Sequence, residues 1–295
     1  MPFASETNPI LIAIFFSVCI CFCVTSTNAT LHGQEAKTKT TEIYKEVGAR
    51  KLKILISKPA DWKASDTRPA AVFFHGGGWV GGKPGQFDPH CAHLTMRGMV
   101  CFQVEYRLIP KGTENTDRTP TRCINDAKSA MRWVRSRASE FGIDPDRIAS
   151  GGGSAGGHLA AFLGTTDGVD DPNDDQTVSA RSNLMLLFNP VCNNGPGQWG
   201  ASRVGDRYKE FSPAHNISSD DAPSIVFLGS KDKLIPVSTS QDFQNQMTAQ
   251  HVRSELRIYA GAGHGFFNAN KEGGKWYPLT IEEMDEFLVS YGWLN

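Results

Sequence analysis

Short apolar runs, each bounded by glycine, proline or polar residues, recur along most of this chain. Ala70–Phe74, Met99–Leu108, Arg147–Ser150, Leu184–Phe188, Ser224–Gly229 and Leu256–Tyr259 are short enough for buried strands. The segments between them follow a longer period. In Cys123–Phe141 the apolar positions Ile124, Ala127, Ala130, Met131 and Val134 fall on one helical face. Gln86–Arg97, His158–Leu163, Val237–Met247 and Ile281–Tyr291 read as further helices. Strands alternating with helices predict an α/β fold, with a mostly parallel central sheet covered by helices on both faces. Glu42–Pro59 carries two strand-like pieces around Gly48, which predicts an antiparallel hairpin at one sheet edge.

The first thirty residues break this pattern. Ile10–Val24 is one apolar run of about fifteen residues, shorter than the roughly twenty that a membrane span needs. Thr27-Asn28-Ala29 follows as a small-residue cleavage site. The expectation is a signal peptide over residues 1–29, with an uncleaved anchor as the alternative, and one globular domain over 30–295. Secreted or periplasmic residence follows from that expectation.

Composition narrows the partners. The chain has 295 residues, 40% of them hydrophobic and 21% charged, with a net charge of −1. That describes an ordinary globule with enough apolar residues for a buried sheet, and it offers no electrostatic case for nucleic acid or anionic membranes. Three of the seven cysteines lie in the N-terminal run. Cys91, Cys101, Cys123 and Cys192 remain, allowing three pairings, and one disulfide is expected without a choice among them. No H-E-x-x-H and no paired C-x-x-C occurs, so neither metal nor other cofactor is expected. Asp167–Asp175 holds five aspartates, but without EF-hand spacing it reads as a solvated acidic loop. Oligomeric state is not legible.

The chemistry sits at the ends of the strands. Gly152-Gly153-Ser154-Ala155-Gly156 is a G-x-S-x-G motif between a strand and a helix. That setting holds a serine on a tight turn with its hydroxyl exposed, above a helix N-terminus. Upstream, His75-Gly76-Gly77-Gly78-Trp79 follows the Ala70–Phe74 strand, where small residues bare backbone amides for an oxyanion. His75 itself reads as an organiser of that loop. Downstream, Asp232 and His264 each lie just past a strand, giving the chain order Ser, Asp, His. Ser154 would be the nucleophile, His264 its base and Asp232 the carboxylate orienting the imidazole. Asp242, inside a helical run, is the reserve acid. Because the base must start neutral, activity should fall at acid pH.

These motifs resemble those of the α/β-hydrolase superfamily, and within it the hormone-sensitive-lipase-like esterases with H-G-G-G and G-x-S-A-G-G. Val104-Glu105-Tyr106-Arg107-Leu108 is similar to the family's Y-R-L segment. The resemblance covers residues 42 onward. It implies an α/β-hydrolase fold and oxyanion donors at the amides of Gly77, Gly78 and Ala155. Many such esterases place aspartate before the serine, whereas this chain has Gly153. Gly-Gly-Ser-Ala-Gly-Gly-His-Leu is closer to bacterial acetylxylan and feruloyl esterases, and His158 belongs to that likeness as a structural support of the turn. The implied substrate is a small-molecule or carbohydrate ester.

Val191–Ala222, with Trp199 and Tyr208, stands where many hydrolases insert a lid, but it is short. No large cap domain is expected, so the site should be shallow and suited to short acyl groups on a bulky soluble alcohol. Trp79, Phe266 and Phe267 flank the motif loops and are candidate pocket walls. Rival readings are a broad short-chain carboxylesterase, an arylformamidase-like amidase and a non-catalytic binding module of the same fold.

Overall fold

The computed structural model describes residues 39–110 and 118–295; the proposed signal peptide lies outside the described residues. Eight strands form one sheet within them: β1 (Lys39–Val47), β2 (Arg50–Ser57), β3 (Arg68–Phe74), β4 (Val100–Val104), β5 (Ile143–Gly153), β6 (Leu184–Phe188), β7 (Ser224–Gly229) and β8 (Ser254–Tyr259). Their order is β1-β2-β4-β3-β5-β6-β7-β8. The β1–β2 hairpin lies at one edge and β2 meets β4 antiparallel; every later pairing is parallel.

The apolar runs divide between two cores because strand side chains alternate. Ala70, Val72 and Phe74 of β3 face one layer, while Ala71 and Phe73 face the other. Met185 and Leu187 of β6 likewise oppose Leu184, Leu186 and Phe188. The helices are α1 (Asp88–Met96), α2 (Thr121–Ser136), α3 (Ala138–Phe141), α4 (Ala155–Thr165), α5 (Ala201–Val204), α6 (Tyr208–Phe211), α7 (Val237–Ala249) and α8 (Tyr277–Ser290). Ile124 of α2, Leu159 of α4 and Phe243 of α7 fill the first layer, and Leu94 of α1 with Met284 of α8 fills the second. Both faces are covered, as the unbroken apolar runs require. Among the described residues no helix is long and apolar enough to cross a membrane.

Several expectations change. The Cys123–Phe141 helix breaks at Arg137 (φ −108°, ψ 21°), and a second short helix then ends on left-handed Gly142. The Gln86–Arg97 helix opens as a 3-10 turn over Pro84–Phe87 before α1 begins. Cys91, Cys101, Cys123 and Cys192 are all buried and free, so no disulfide is present among them. Three of the acidic loop's five aspartates are docked, while Asp167 and Asp175 stay exposed as expected. Asp170 meets Lys128 (2.8 Å) and Arg132 (2.5 Å), Asp171 meets Lys45 (2.6 Å), and Asp174 meets Arg132 (3.1 Å). Burial pushes the Asp170 carboxyl up, but the two cations outweigh it and hold the group below its usual range. Among the described residues no cluster of three His, Cys, Asp or Glu side chains could hold a metal ion.

Candidate active site

Ser154 occupies the turn between β5 and α4 with φ 54° and ψ −118°, a conformation that costs a residue with a Cβ about 1–3 kcal/mol. Packing holds it there. Its amide donates to the Phe188 carbonyl of β6 (2.9 Å), and its carbonyl accepts from His158 (2.9 Å) in the first turn of α4. The flanking glycines are steric requirements: a Cβ at Gly156 would stand 2.0 Å from the Phe74 carbonyl oxygen, and one at Gly152 2.3 Å from that of Gly156.

Beside Ser154, the loop after β3 folds over itself. Gly77 (φ 118°) and Gly78 (φ 62°) are left-handed, and the Gly77 carbonyl accepts from Val80 (3.1 Å) and Gly81 (3.0 Å). No hydrogen bond among the described residues uses the amides of Gly77, Gly78 or Ala155. Ala155 opens α4, where the first amides have no partner within the helix. His75 organises the loop as expected. Its Nδ1–H donates to the Gly76 carbonyl (2.8 Å), its ring stacks on Tyr106 at 4.3 Å, and Tyr106 Oη–H donates to the His75 carbonyl (2.6 Å).

The loops after β7 and β8 bring in the remaining pair. Ser154 Oγ–H donates to His264 Nε2 (3.0 Å), and His264 Nδ1–H donates to Asp232 Oδ2 (2.7 Å). The Asp232 side chain is fully buried. Its Oδ1 accepts from the amides of Leu234 (2.8 Å) and Ile235 (3.0 Å). Burial raises the Asp232 pKa, yet the His264 and backbone hydrogen bonds prevail and keep it below the ordinary carboxylate value. Asp242 is exposed on α7 and takes no part in this chain of bonds. His158 is fully buried and donates from Nε2 to the Phe211 carbonyl (2.7 Å); burial pushes it down to about 4, so the ring is a neutral structural strut.

The proposed aromatic walls do not hold. Trp79 is 0% exposed, and Phe266 and Phe267 are 1% exposed, so none presents surface to a cleft. Phe267 lies under the turn, where a Cβ on Gly153 would meet its ring at 2.4 Å. Phe266 packs on Tyr259 at 4.9 Å. Trp199 keeps partial exposure instead. It packs at a tilt on Trp79 (ring centroids 5.1 Å apart) and lies 3.6 Å from where a Gly78 Cβ would point. Arg203 of α5 sits over both indoles and donates to the Gly78 carbonyl. The Val191–Ala222 segment thus braces the glycine loop. Asn189, which the sequence marks only as the end of β6, accepts the Gly265 amide on Oδ1 (2.9 Å) and so steadies the residue after His264. A surface depression of about 580 Å³ between α1 and α8, lined by His93, Tyr277 and Val289, contains none of these groups.

Together these loops place a hydroxyl, an imidazole and a carboxylate in line beside three free amides. Such an arrangement can transfer an acyl group. The chain matches the BD-FAE family over residues 56–194 and the dienelactone hydrolase family over residues 206–286. It is 30% identical to the probable carboxylic ester hydrolase LipM of Mycobacterium tuberculosis over 224 residues, 68% of this chain and 49% of that protein. The chain spans about half the length of the curated relatives it matches. Among solved structures, Thermogutta terrifontis esterase 2 phosphorylated by paraoxon aligns with a TM-score of 0.80 and 41% identity, over 88% of this chain and 96% of that one. The butyrate-bound form of that esterase aligns with a TM-score of 0.81 and 40% identity, again over 88% and 96%. The chain belongs to the α/β-hydrolase superfamily, among its hormone-sensitive-lipase-like serine esterases.

Proposed function

We propose that this protein hydrolyses short-chain carboxylic esters through an acyl-enzyme on Ser154, and that its natural substrates are acylated carbohydrates. The observation that carries the reaction class is the continuous line Ser154 Oγ–His264 Nε2, Nδ1–Asp232 Oδ2, at 3.0 and 2.7 Å.

In the first half-reaction Ser154 Oγ bonds to the ester carbonyl carbon while its proton passes to His264 Nε2. The carbonyl oxygen becomes anionic and takes the amides of Gly77, Gly78 and Ala155. Each such donor is worth about 3–4 kcal/mol in comparable sites. Asp232 stabilises the imidazolium without taking its proton. Collapse breaks the ester C–O bond, and His264 returns the proton to the leaving alkoxide. Water then attacks the acyl carbon, gives its proton to His264 and releases the acid as Ser154 recovers its hydrogen.

Short acyl preference is supported by the butyrate-bound relative and by the core packing behind the glycine loop, where Trp79 fills the space. A carbohydrate alcohol is supported by the likeness of the serine motif to acetylxylan and feruloyl esterases. Partly exposed Trp199 beside Gly78 offers a face on which a sugar ring can stack. Export through the N-terminal apolar run belongs to the same reading, since polymeric substrates lie outside the cell. Comparing p-nitrophenyl acetate with the octanoate tests the acyl preference, and faster octanoate turnover would remove it. Acetylated xylan and feruloylated arabinoxylan test the alcohol. No release from either would leave a general short-chain carboxylesterase, which the same bound butyrate also favours.

A further inference from the structure

The glycine loop after β3 and the histidine loop after β8 belong to strands four positions apart in the sheet, yet a chain of side-chain amides joins them. Gly76 N–H donates to Gln86 Oε1 (2.6 Å), Gln86 Nε2–H to Asn268 Oδ1 (3.0 Å), and Asn268 Nδ2–H to the Gly265 carbonyl (2.7 Å). Gly76 adjoins Gly77, and Gly265 adjoins His264. We infer that Gln86 and Asn268 are positioning residues, which hold the oxyanion amides and the His264 ring in one geometry relative to Ser154. This inference rests on the ester-hydrolase reading of the site.

The chain of bonds has a fixed direction. The Gly76 amide can only donate, so Gln86 must turn its oxygen toward it and its NH₂ toward Asn268. Asn268 must then accept from Gln86, which leaves its NH₂ for the Gly265 carbonyl. Flipping either amide would set two donors or two acceptors against each other, so the three bonds stand or fall together. Gly77, Gly78 and Gly265 all lie at positive φ, where glycine moves at little cost. Gln86 is anchored by its place in the 3-10 turn that runs into α1, with Phe87 wholly buried against Phe73 (4.7 Å). The bridge therefore transmits the rigidity of a packed helix to both loops. A misplacement of about 1 Å at such groups can cost up to a hundredfold in rate.

The test is a double-mutant cycle with Gln86→Met and Asn268→Leu, which keep bulk and remove the bonds. Rates on p-nitrophenyl acetate are divided by active sites counted with a fluorophosphonate probe, so unfolded protein does not enter. Each single variant is expected to lose roughly tenfold in kcat with KM within twofold. The double variant should lose about the same tenfold, because the second cut severs a bridge already broken. Hydrogen exchange over residues 261–268 should also quicken in Gln86→Met, although the substitution lies far away in sequence. Singles with kcat within twofold of the unsubstituted protein, losses that multiply to about a hundredfold, or unchanged exchange in 261–268 would each overturn the inference. Absence of turnover in the unsubstituted protein would instead count against the ester-hydrolase reading, and exchange alone would still decide the bridge.

Discussion

His264 Nδ1–H meets Asp232 Oδ2 at 2.7 Å, and the other oxygen of the same carboxylate accepts the amides of Leu234 and Ile235. Both oxygens of this buried carboxylate are therefore engaged. The carboxylate cannot rotate away without abandoning two backbone bonds, so the imidazole is held in the tautomer that leaves Nε2 free to accept from Ser154.

Asp232→Asn should lower kcat by about 10³–10⁴, since the amide can present an N–H to Nδ1 and favour the wrong tautomer. Asp242→Asn, on the exposed face of α7, should stay within twofold of the unsubstituted protein. Steady-state kinetics on p-nitrophenyl acetate checks both. Wild-type-like turnover in Asp232→Asn would reassign the acid.

Backbone strain at Ser154 is separable from its chemistry. Ser154→Ala and Ser154→Gly should both abolish turnover, but only glycine relaxes the φ 54°, ψ −118° turn. Chemical denaturation should find the glycine variant about 1 kcal/mol more stable than the alanine variant, after the entropy glycine loses on folding. Equal stabilities would mean that the turn carries no strain.

A different residue contributes to stability in acid. His90 is fully buried among Phe73, Phe87, Phe188 and Phe267, with neither ring nitrogen hydrogen-bonded. Burial, helped by the nearby His93, pushes it down to about 3. The folded state thus binds this proton less readily than the unfolded chain, whose histidine titrates near 6.5. Its contribution is fully present above about pH 6.5 and is lost as pH falls toward 3. The loss is on the order of 4–5 kcal/mol across the window. His90→Phe should flatten that part of the stability–pH curve measured by urea unfolding. An unchanged slope between pH 6 and 4 would contradict the assignment.

The docked acidic loop makes a further prediction. Because Asp170, Asp171 and Asp174 already pair with Lys128, Arg132 and Lys45, calcium should find no vacant set of ligands there. Millimolar calcium or a chelator should move the melting temperature by less than about 1 °C, whereas binding to the folded state would raise it. Lys128→Met should destabilise by about 1–3 kcal/mol by leaving a partly buried carboxylate under-paired.

Much of this was readable from the chain because its signals are local. Ala70–Phe74 and Leu184–Phe188 are apolar at every position and short, as a strand covered on both faces requires. Ser154, Asp232 and His264 stand out because each lies within five residues of a strand's carboxyl end. The misreadings arise where a side chain's direction depends on a turn. Trp79 follows two left-handed glycines and itself has φ 61°, which sends its ring inward while Trp199, from a distant segment, takes the partly exposed place. Gln86, Asn189 and Asn268 carry no such signal, because each is a single polar residue outside any motif. Gln86 and Asn268 find each other only across 182 positions of sequence. The aspartate loop misled because its cations come from α2 and β1, and charge pairing over that distance has no sequence period.

The most direct test of the central claim is to treat the protein with paraoxon and map the adduct by mass spectrometry. The account predicts one diethylphosphoryl group on the peptide carrying Ser154, with loss of turnover in proportion to labelling and no label in Ser154→Ala. A modified protein whose adduct lies elsewhere, or whose ester turnover survives complete labelling of Ser154, would contradict it.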